Sequence, residues 1–296
     1  MPRINNHLVI MAGGVGSRFW PMSTAECPKQ FIDVLGIGKT LLQLTVERFG
    51  SLVAPEHVWV VTNEKYADIV AQQLPDMPRG NILCEPCRRN TAPCIAYVSW
   101  RIKAQDPKAN IVVTPSDHIV MNVPEFQRVI TECMDFTSES DAIVTLGMKP
   151  SRPETGYGYI QADLSASSLR NKRIFRVDSF REKPDLKTAE QYIKKNYYFW
   201  NAGIFIWNVS TIVNAFRIYQ PKMNKIFEQM LPIYGNACIG KDINLFETHN
   251  CMIHTAQEKK VVIQGLDGYI VAENNDTLLI CKLSEEQRIK QFSGQD

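Results

Sequence analysis

The chain has 296 residues, 45% hydrophobic and 22% charged, a composition that fits a globular protein of one large domain or one domain with a small appendage. Its formal net charge of +2 supplies no bulk field for nucleic acid or an anionic membrane, so neither is expected as a partner, and any affinity for anions must come from local placement. No run approaches the ~18 apolar residues of a membrane span, and the opening Met-Pro-Arg-Ile-Asn-Asn-His lacks a signal-peptide core, so a cytoplasmic location is expected.

In chain order, Leu8–Met11, Val58–Thr62, Ile111–Thr114 and Ile143–Gly147 read as buried strands. Thr40–Phe49, Lys65–Gln73, Ala92–Lys103 and Glu125–Ser138 read as helices between them. Such alternation predicts an α/β fold, a mostly parallel sheet with helices on both faces, whose ligands gather at the carboxyl ends of the strands. Residues 157–160, 174–177 and 179–183 predict shorter strands, some antiparallel. Leu186–Asn196 and Val209–Arg217 predict helices, with Gly203–Trp207 a strand before the second. From about residue 235 five short β segments follow (237–239, 252–255, 260–264, 269–273, 277–282), and Ser284–Phe292 predicts a terminal helix with Ser284 as its N-cap. The expected division is 1–235 and a C-terminal β region, 236–296, which leaves a homodimer through that region open.

The eight cysteines are scattered and mostly flanked by apolar residues, so reduced thiols are expected. Cys84-x-x-Cys87 lacks a second ligand pair at zinc spacing. His249-x-Cys251-x-x-His254 would share no single face of a strand.

After the first strand comes Gly13-Gly14-Val15-Gly16-Ser17-Arg18. Glycines at three of four positions permit a tight turn whose N–H groups face phosphate oxygens. Arg18 and Lys29 add positive charge at the same end of the sheet. A dinucleotide fingerprint fails because Phe19 stands where the third glycine belongs, and a P-loop ending at Gly38-Lys39-Thr40 fails because Asp33 replaces its first glycine.

The pattern G-G-x-G-x-R followed by Pro28-Lys29-Gln30-Phe31 resembles the signature of sugar-nucleotide pyrophosphorylases. Further stretches follow in order and resemble the mannose-1-phosphate guanylyltransferase branch of that family: Glu85-Pro86-Cys87-Arg88-Arg89-Asn90-Thr91-Ala92-Pro93, Pro115-Ser116-Asp117-His118, Arg152-Pro153-Glu154-Thr155-Gly156-Tyr157-Gly158-Tyr159-Ile160, Phe180-Arg181-Glu182-Lys183-Pro184 and Trp200-Asn201-Ala202-Gly203-Ile204-Phe205. The resemblance implies a Rossmann-like nucleotidyltransferase domain. It implies transfer of a guanylyl group from GTP to mannose 1-phosphate, giving GDP-mannose and pyrophosphate by in-line attack at the α-phosphorus, with Mg²⁺ as cofactor. Two polyanions meet in that reaction, so charge neutralisation and positioning dominate it.

By the same resemblance, Gly13, Gly14, Gly16 and Ser17 cradle the triphosphate with Arg18, and Lys29 lies near the transferring phosphates. Ala12, Asn90 and Thr91 serve base and ribose. Asp117 at a strand's carboxyl end is the metal ligand. On the acceptor side, the backbone of Gly156, Tyr157 and Gly158 approaches the hexose, Glu182 and Asn201 bind its hydroxyls, and Lys183 pairs the sugar's phosphate.

After Trp207 the resemblance breaks. The family's I-D-Y-x-V-M-E-K and W-x-D-x-G motifs are absent, as though several tens of residues were lost internally, before Asn236-Ala237-Cys238-Ile239-Gly240 takes up the C-terminal β pattern. The lost segment would carry a second metal-binding Asp and a Lys near the acceptor phosphate. Two expectations follow: a compact active enzyme in which Asp242, Glu247 or another residue fills the missing roles, or a catalytically impaired homologue that binds nucleotide without turnover. No isomerase domain of the cupin type is recognised.

Overall fold

Leu8, Val9 and Ile10 are each fully buried, so both faces of the strand Asn6–Met11 (β1) lie in the interior. That burial is why the segment reads as a continuous apolar run without alternation. A computed structural model describes residues 5–14, 22–84, 91–167, 173–239, 242–248, 251–255, 259–274 and 277–292. The chain groups into two units, Met1–Val98 with Lys108–Ala215, and Ser99–Pro107 with Phe216–Asp296. Residues 216–235, grouped with the first domain in the sequence reading, fall in the second of these units.

In the first unit β1 pairs in parallel with Val58–Thr62 (β2) and Asn110–Pro115 (β4), and β2 pairs in parallel with Ile82–Cys84 (β3). Tyr198–Asn208 (β8) joins β4 antiparallel, Val144–Met148 (β5) and Tyr159–Ser167 (β6) join β8 antiparallel, and Phe175–Arg181 (β7) closes the edge against β6. The order is β3-β2-β1-β4-β8-β6-β7, with β5 also on β8. Only β7 and β8 run against the rest, so the sheet is mostly parallel, as expected.

The helices Leu41–Phe49 (α1), Ala67–Gln73 (α2) and Val123–Ser138 (α4) supply Leu42, Phe49, Val70, Phe126 and Ile130 to one core, against Leu8, Ile10, Val60, Val112 and Ile206 of the sheet. Thr40 starts α1 with a capping box to Gln43. Asn122 caps α4 through the Glu125 N–H. Thr91–Gln105 (α3), Leu186–Ile193 (α5) and Val209–Tyr219 (α6) match the predicted helices within a few residues.

The second unit contains Pro221–Gly235 (α7). There the fully buried Trp100 packs against Phe216 and Phe227, with ring centroids 5.6 and 5.5 Å away. Its strands alternate between two parallel sheets. Asn236–Ile239 (β9), Cys251–His254 (β11) and Tyr269–Asn274 (β13) form one, and Asp242–Phe246 (β10) and Lys260–Gln264 (β12) form the other. The chain therefore coils, enclosing Cys251, Ile253, Ile263 and Val271. Thr277–Lys282 (β14) reverses and pairs antiparallel with β13.

The structure differs from the sequence pattern at five places. The segments 174–177 and 179–183 form one strand, β7, with its pairing to β6 interrupted by register shifts. The strands β3 and β10 and the helix α7 were unassigned. The terminal helix is mostly a 3₁₀ turn, Leu283–Arg288, before the four-residue helix Ile289–Phe292 (α8). Among the described residues no helix is long and apolar enough to cross a membrane.

Candidate active site

The segment Pro28-Lys29-Gln30-Phe31 assigns a different job to each of its last three residues. Phe31 enters the core beside Tyr66, with ring centroids 5.4 Å apart, which fixes the short 3₁₀ turn Lys29–Phe31. Gln30 is 2% exposed, and its side-chain amide donates to Ala12 O (3.0 Å) and to Gly14 O (2.9 Å). Ala12 is also tied to β2, donating to Val61 O at 2.8 Å and accepting from Thr62 Oγ1 at 3.1 Å. The described start of the glycine loop, Ala12–Gly14, is thus pinned from below. Lys29 reaches Asp117, with Nζ and Oδ2 at 2.5 Å and both side chains about a quarter exposed.

Asp117 follows β4, and its neighbours are held by α1. The Arg48 guanidinium donates to His118 O (2.6 Å), Pro115 O (3.5 Å) and Thr45 Oγ1 (3.1 Å). The Thr45 hydroxyl lies 3.3 Å from Ser116 O. Arg48 is 4% exposed and sits 5.6 Å from the Phe126 ring centroid. Burial pulls its pKa down to about 10, against the opposing pull of Asp117. Burial also lowers the pKa of His118, partly offset by Asp117 and deepened by Arg48 and Lys29, so His118 is neutral at neutral pH.

The residues expected on the acceptor side lie around β6, β7 and β8. The Asn201 N–H donates to Gly158 O (2.8 Å), while its Oδ1 accepts from the Gly203 N–H (2.9 Å). Gly203 has φ +67°, a left-handed conformation that suits glycine, and a Cβ there would lie 3.5 Å from Pro115 Cγ. A Cβ on Gly158 would lie 3.2 Å from Glu182 Oε1, so the missing side chain lets the carboxylate close on the backbone. Tyr157 meets Trp200 edge-on, with centroids 5.4 Å apart. Arg152 stacks over Trp200 and forks onto Glu154, whose Oε1 accepts the Gly156 N–H at 3.0 Å. Lys183 is exposed with φ +35°, strained for a residue with a side chain. Thr91 opens α3 and is exposed.

The fold therefore brings Ala12, Gly13, Gly14, Lys29 and Asp117 to one locality, and Gly156, Tyr157, Gly158, Glu182 and Asn201 to another, adjoining where Gly203 approaches Pro115. Gly16, Ser17, Arg18 and Asn90 lie outside the described residues. Sequence reading missed Gln30, Thr45 and Arg48 as supports. For Arg48 a signal exists: with Leu41, Leu42, Thr45 and Phe49 it lies on the buried face of a helix, where a cation needs partners.

Among the described residues no three His, Cys, Asp or Glu side chains converge as a protein-only metal cage. One partly exposed carboxylate at a strand end does fit Mg²⁺, which commonly takes one or two carboxylates and completes its shell with substrate phosphate oxygens and water. The described cysteines 27, 84, 94, 133, 251 and 281 are unbridged thiols.

Residues 7–239 match the nucleotidyl transferase family. A mannose-1-phosphate guanylyltransferase of Escherichia coli is 38% identical over 225 residues, covering 75% of this chain and 48% of its own length. A putative mannose-1-phosphate guanylyltransferase of Vibrio cholerae serotype O1 is 30% identical over 346 residues, covering 96% of this chain and 73% of its own. Since 96% of this chain is about 284 residues, about 60 positions of that alignment have no counterpart here. The chain spans about half the length of the Escherichia coli relative. A crystal structure described as mannose-1-phosphate geranyltransferase from Thermus thermophilus superposes with a TM-score of 0.69 at 24% identity, covering 98% of this chain and 99% of that one, which shows the fold.

Proposed function

The chain belongs to the nucleotidyl transferase family, and from that premise we propose that it transfers a guanylyl group from GTP to mannose 1-phosphate, giving GDP-mannose and pyrophosphate. The observation that carries the reading is the Lys29–Asp117 pair beside the pinned glycine loop, at the carboxyl ends of β1 and β4. Ligands of open α/β sheets collect at that end. A lysine and a carboxylate there meet the needs of a triphosphate: a point charge for phosphate oxygens and an anchor for a cation. The names of the curated relatives supply guanine and mannose as the choice of base and hexose.

In this reading the N–H groups after Ala12, with Arg18, hold the triphosphate, and Asn90 and Thr91 take base and ribose. Mg²⁺ on Asp117 would neutralise phosphate charge as pyrophosphate leaves. Lys29, now paired with Asp117, turns to the phosphates when substrate binds. Glu182 accepts sugar hydroxyls beside Gly158. Asn201 uses its oxygen to fix Gly203, so its amide nitrogen is the group left to meet the sugar. Lys183 pairs the acceptor phosphate, whose oxygen attacks the α-phosphorus in line.

Pyrophosphate release from GTP plus mannose 1-phosphate with Mg²⁺ tests the proposal. Release that requires both substrates is the expected result. Saturable GTP binding without release would overturn it in favour of an impaired, nucleotide-binding homologue.

A further inference from the structure

We propose that Arg48 is a positioning residue for Asp117: from inside the core it holds the turn that carries this carboxylate in the geometry that binds the metal. The proposal rests on the reading of Asp117 as the Mg²⁺ ligand and extends it to a residue that touches neither substrate nor metal.

The carbonyls on both sides of Asp117 are met from α1. Arg48 Nη1 takes His118 O and Nη2 takes Pro115 O, while the Thr45 hydroxyl lies beside Ser116 O and accepts from the same guanidinium. Arg48 itself is braced. Its own carbonyl accepts from Gln127 Nε2 of α4 at 3.0 Å, and Phe126 flanks the guanidinium. At its start, α1 is fixed by the Thr40 cap, whose hydroxyl meets Gln73 Oε1 at 2.7 Å.

A guanidinium buried this deeply is costly, and a well-packed apolar side chain of like volume generally serves stability as well or better. Among the described residues Arg48 has no carboxylate as a hydrogen-bond partner. Its Nη donors go to Pro115 O at the end of β4, to His118 O just past Asp117 and to the Thr45 hydroxyl, so two of the three bonds fall on the turn that carries Asp117. The fork fits this task because it reaches two carbonyls from one rigid plane, which a lysine cannot do.

The test uses Mn²⁺ as the probe, titrated into the substrate-free protein and read by electron paramagnetic resonance, beside the Mg²⁺ concentration giving half-maximal pyrophosphate release. Arg48→Lys is expected to weaken Mn²⁺ binding about tenfold and raise the Mg²⁺ requirement in step. KM for GTP at saturating Mg²⁺ should stay within about twofold. In the Asp117→Asn background Arg48→Lys should change Mn²⁺ binding no further, because the two act as one unit. A folded Arg48→Lys protein with wild-type Mn²⁺ affinity overturns the proposal. If that variant does not fold, Thr45→Val decides: it removes the hydroxyl that lies beside Ser116 O and accepts from the Arg48 guanidinium, while leaving the net charge unchanged; it is expected to weaken Mn²⁺ several-fold, and wild-type affinity there overturns the proposal. Should Asp117→Asn itself bind Mn²⁺ like the wild type, the metal reading is wrong and the proposal falls with it. Loss of Mn²⁺ in Asp117→Asn without loss in Arg48→Lys removes only the role of Arg48.

Discussion

In the β1–β4 half of the first unit, the loops at the strand ends are tied from below by Gln30 and Arg48, both buried and both donating to backbone carbonyls. In the β5–β8 half, the loop 152–158 is tied near the surface by the Arg152–Glu154 fork, and Lys183 stands exposed on a strained backbone. The first arrangement fixes a loop before any ligand arrives; the second leaves freedom that a ligand must remove on binding. A triphosphate carrying several charges gains most from a preset cradle, since reorganising dipoles around it during reaction is costly. In the proposed function the second half takes the hexose.

Four substitutions probe the contrast, from the largest expected effect to the smallest. Asp117→Asn should lower kcat about 1,000-fold in a pyrophosphate-release assay, because charge stabilisation at the reacting phosphates is removed. A loss below about tenfold would move the metal site elsewhere. Gln30→Ala should cost about 2 kcal/mol in denaturant unfolding, since two carbonyls lose a buried donor, and should raise KM for GTP while leaving mannose 1-phosphate alone. If only stability falls, Gln30 packs the core without shaping the loop. Lys183→Ala and Lys183→Gly should both raise KM for mannose 1-phosphate well beyond that for GTP, and the Gly variant should be more stable than the Ala variant by about 1 kcal/mol, from relief of the positive φ. Equal effects on both substrates would refute the acceptor role. Arg152→Ala should change stability by no more than about 0.5 kcal/mol, as an exposed ion pair does. A loss as large as that of Gln30→Ala would erase the contrast between the two halves.

The strands of the first half were legible because both their faces are buried, which leaves an unbroken apolar run in Val58–Thr62 as in β1. The three-residue β3 is too short to carry a pattern. The strand β10, Asp242-Ile243-Asn244-Leu245-Phe246, alternates polar and apolar residues over only four positions before Phe246 breaks the pattern, a run too short to stand out. The helix α7 was hidden by two prolines: Pro221 occupies its first position, where proline is tolerated, but it reads as a stop in sequence, and Pro232 reads as a break. At the site, Lys29 and Asp117 were found through ordered motifs. Gln30 was not, because its partners are backbone carbonyls 16 and 18 residues away, which no local pattern records; for Arg48 the buried helix face is legible, but not the carbonyls 67 and 70 residues away that it meets.

The reversal of β14 has its own consequence for the C-terminal coil. In a parallel coil each turn offers the next one a ready template, much as the end of a growing filament recruits its next unit. By pairing antiparallel with β13, from Tyr269 opposite Lys282 to Asn274 opposite Thr277, β14 covers that edge of the parallel sheet with a strand of opposite direction. The direction of a single strand thus sets the polarity that this edge offers to whatever meets it.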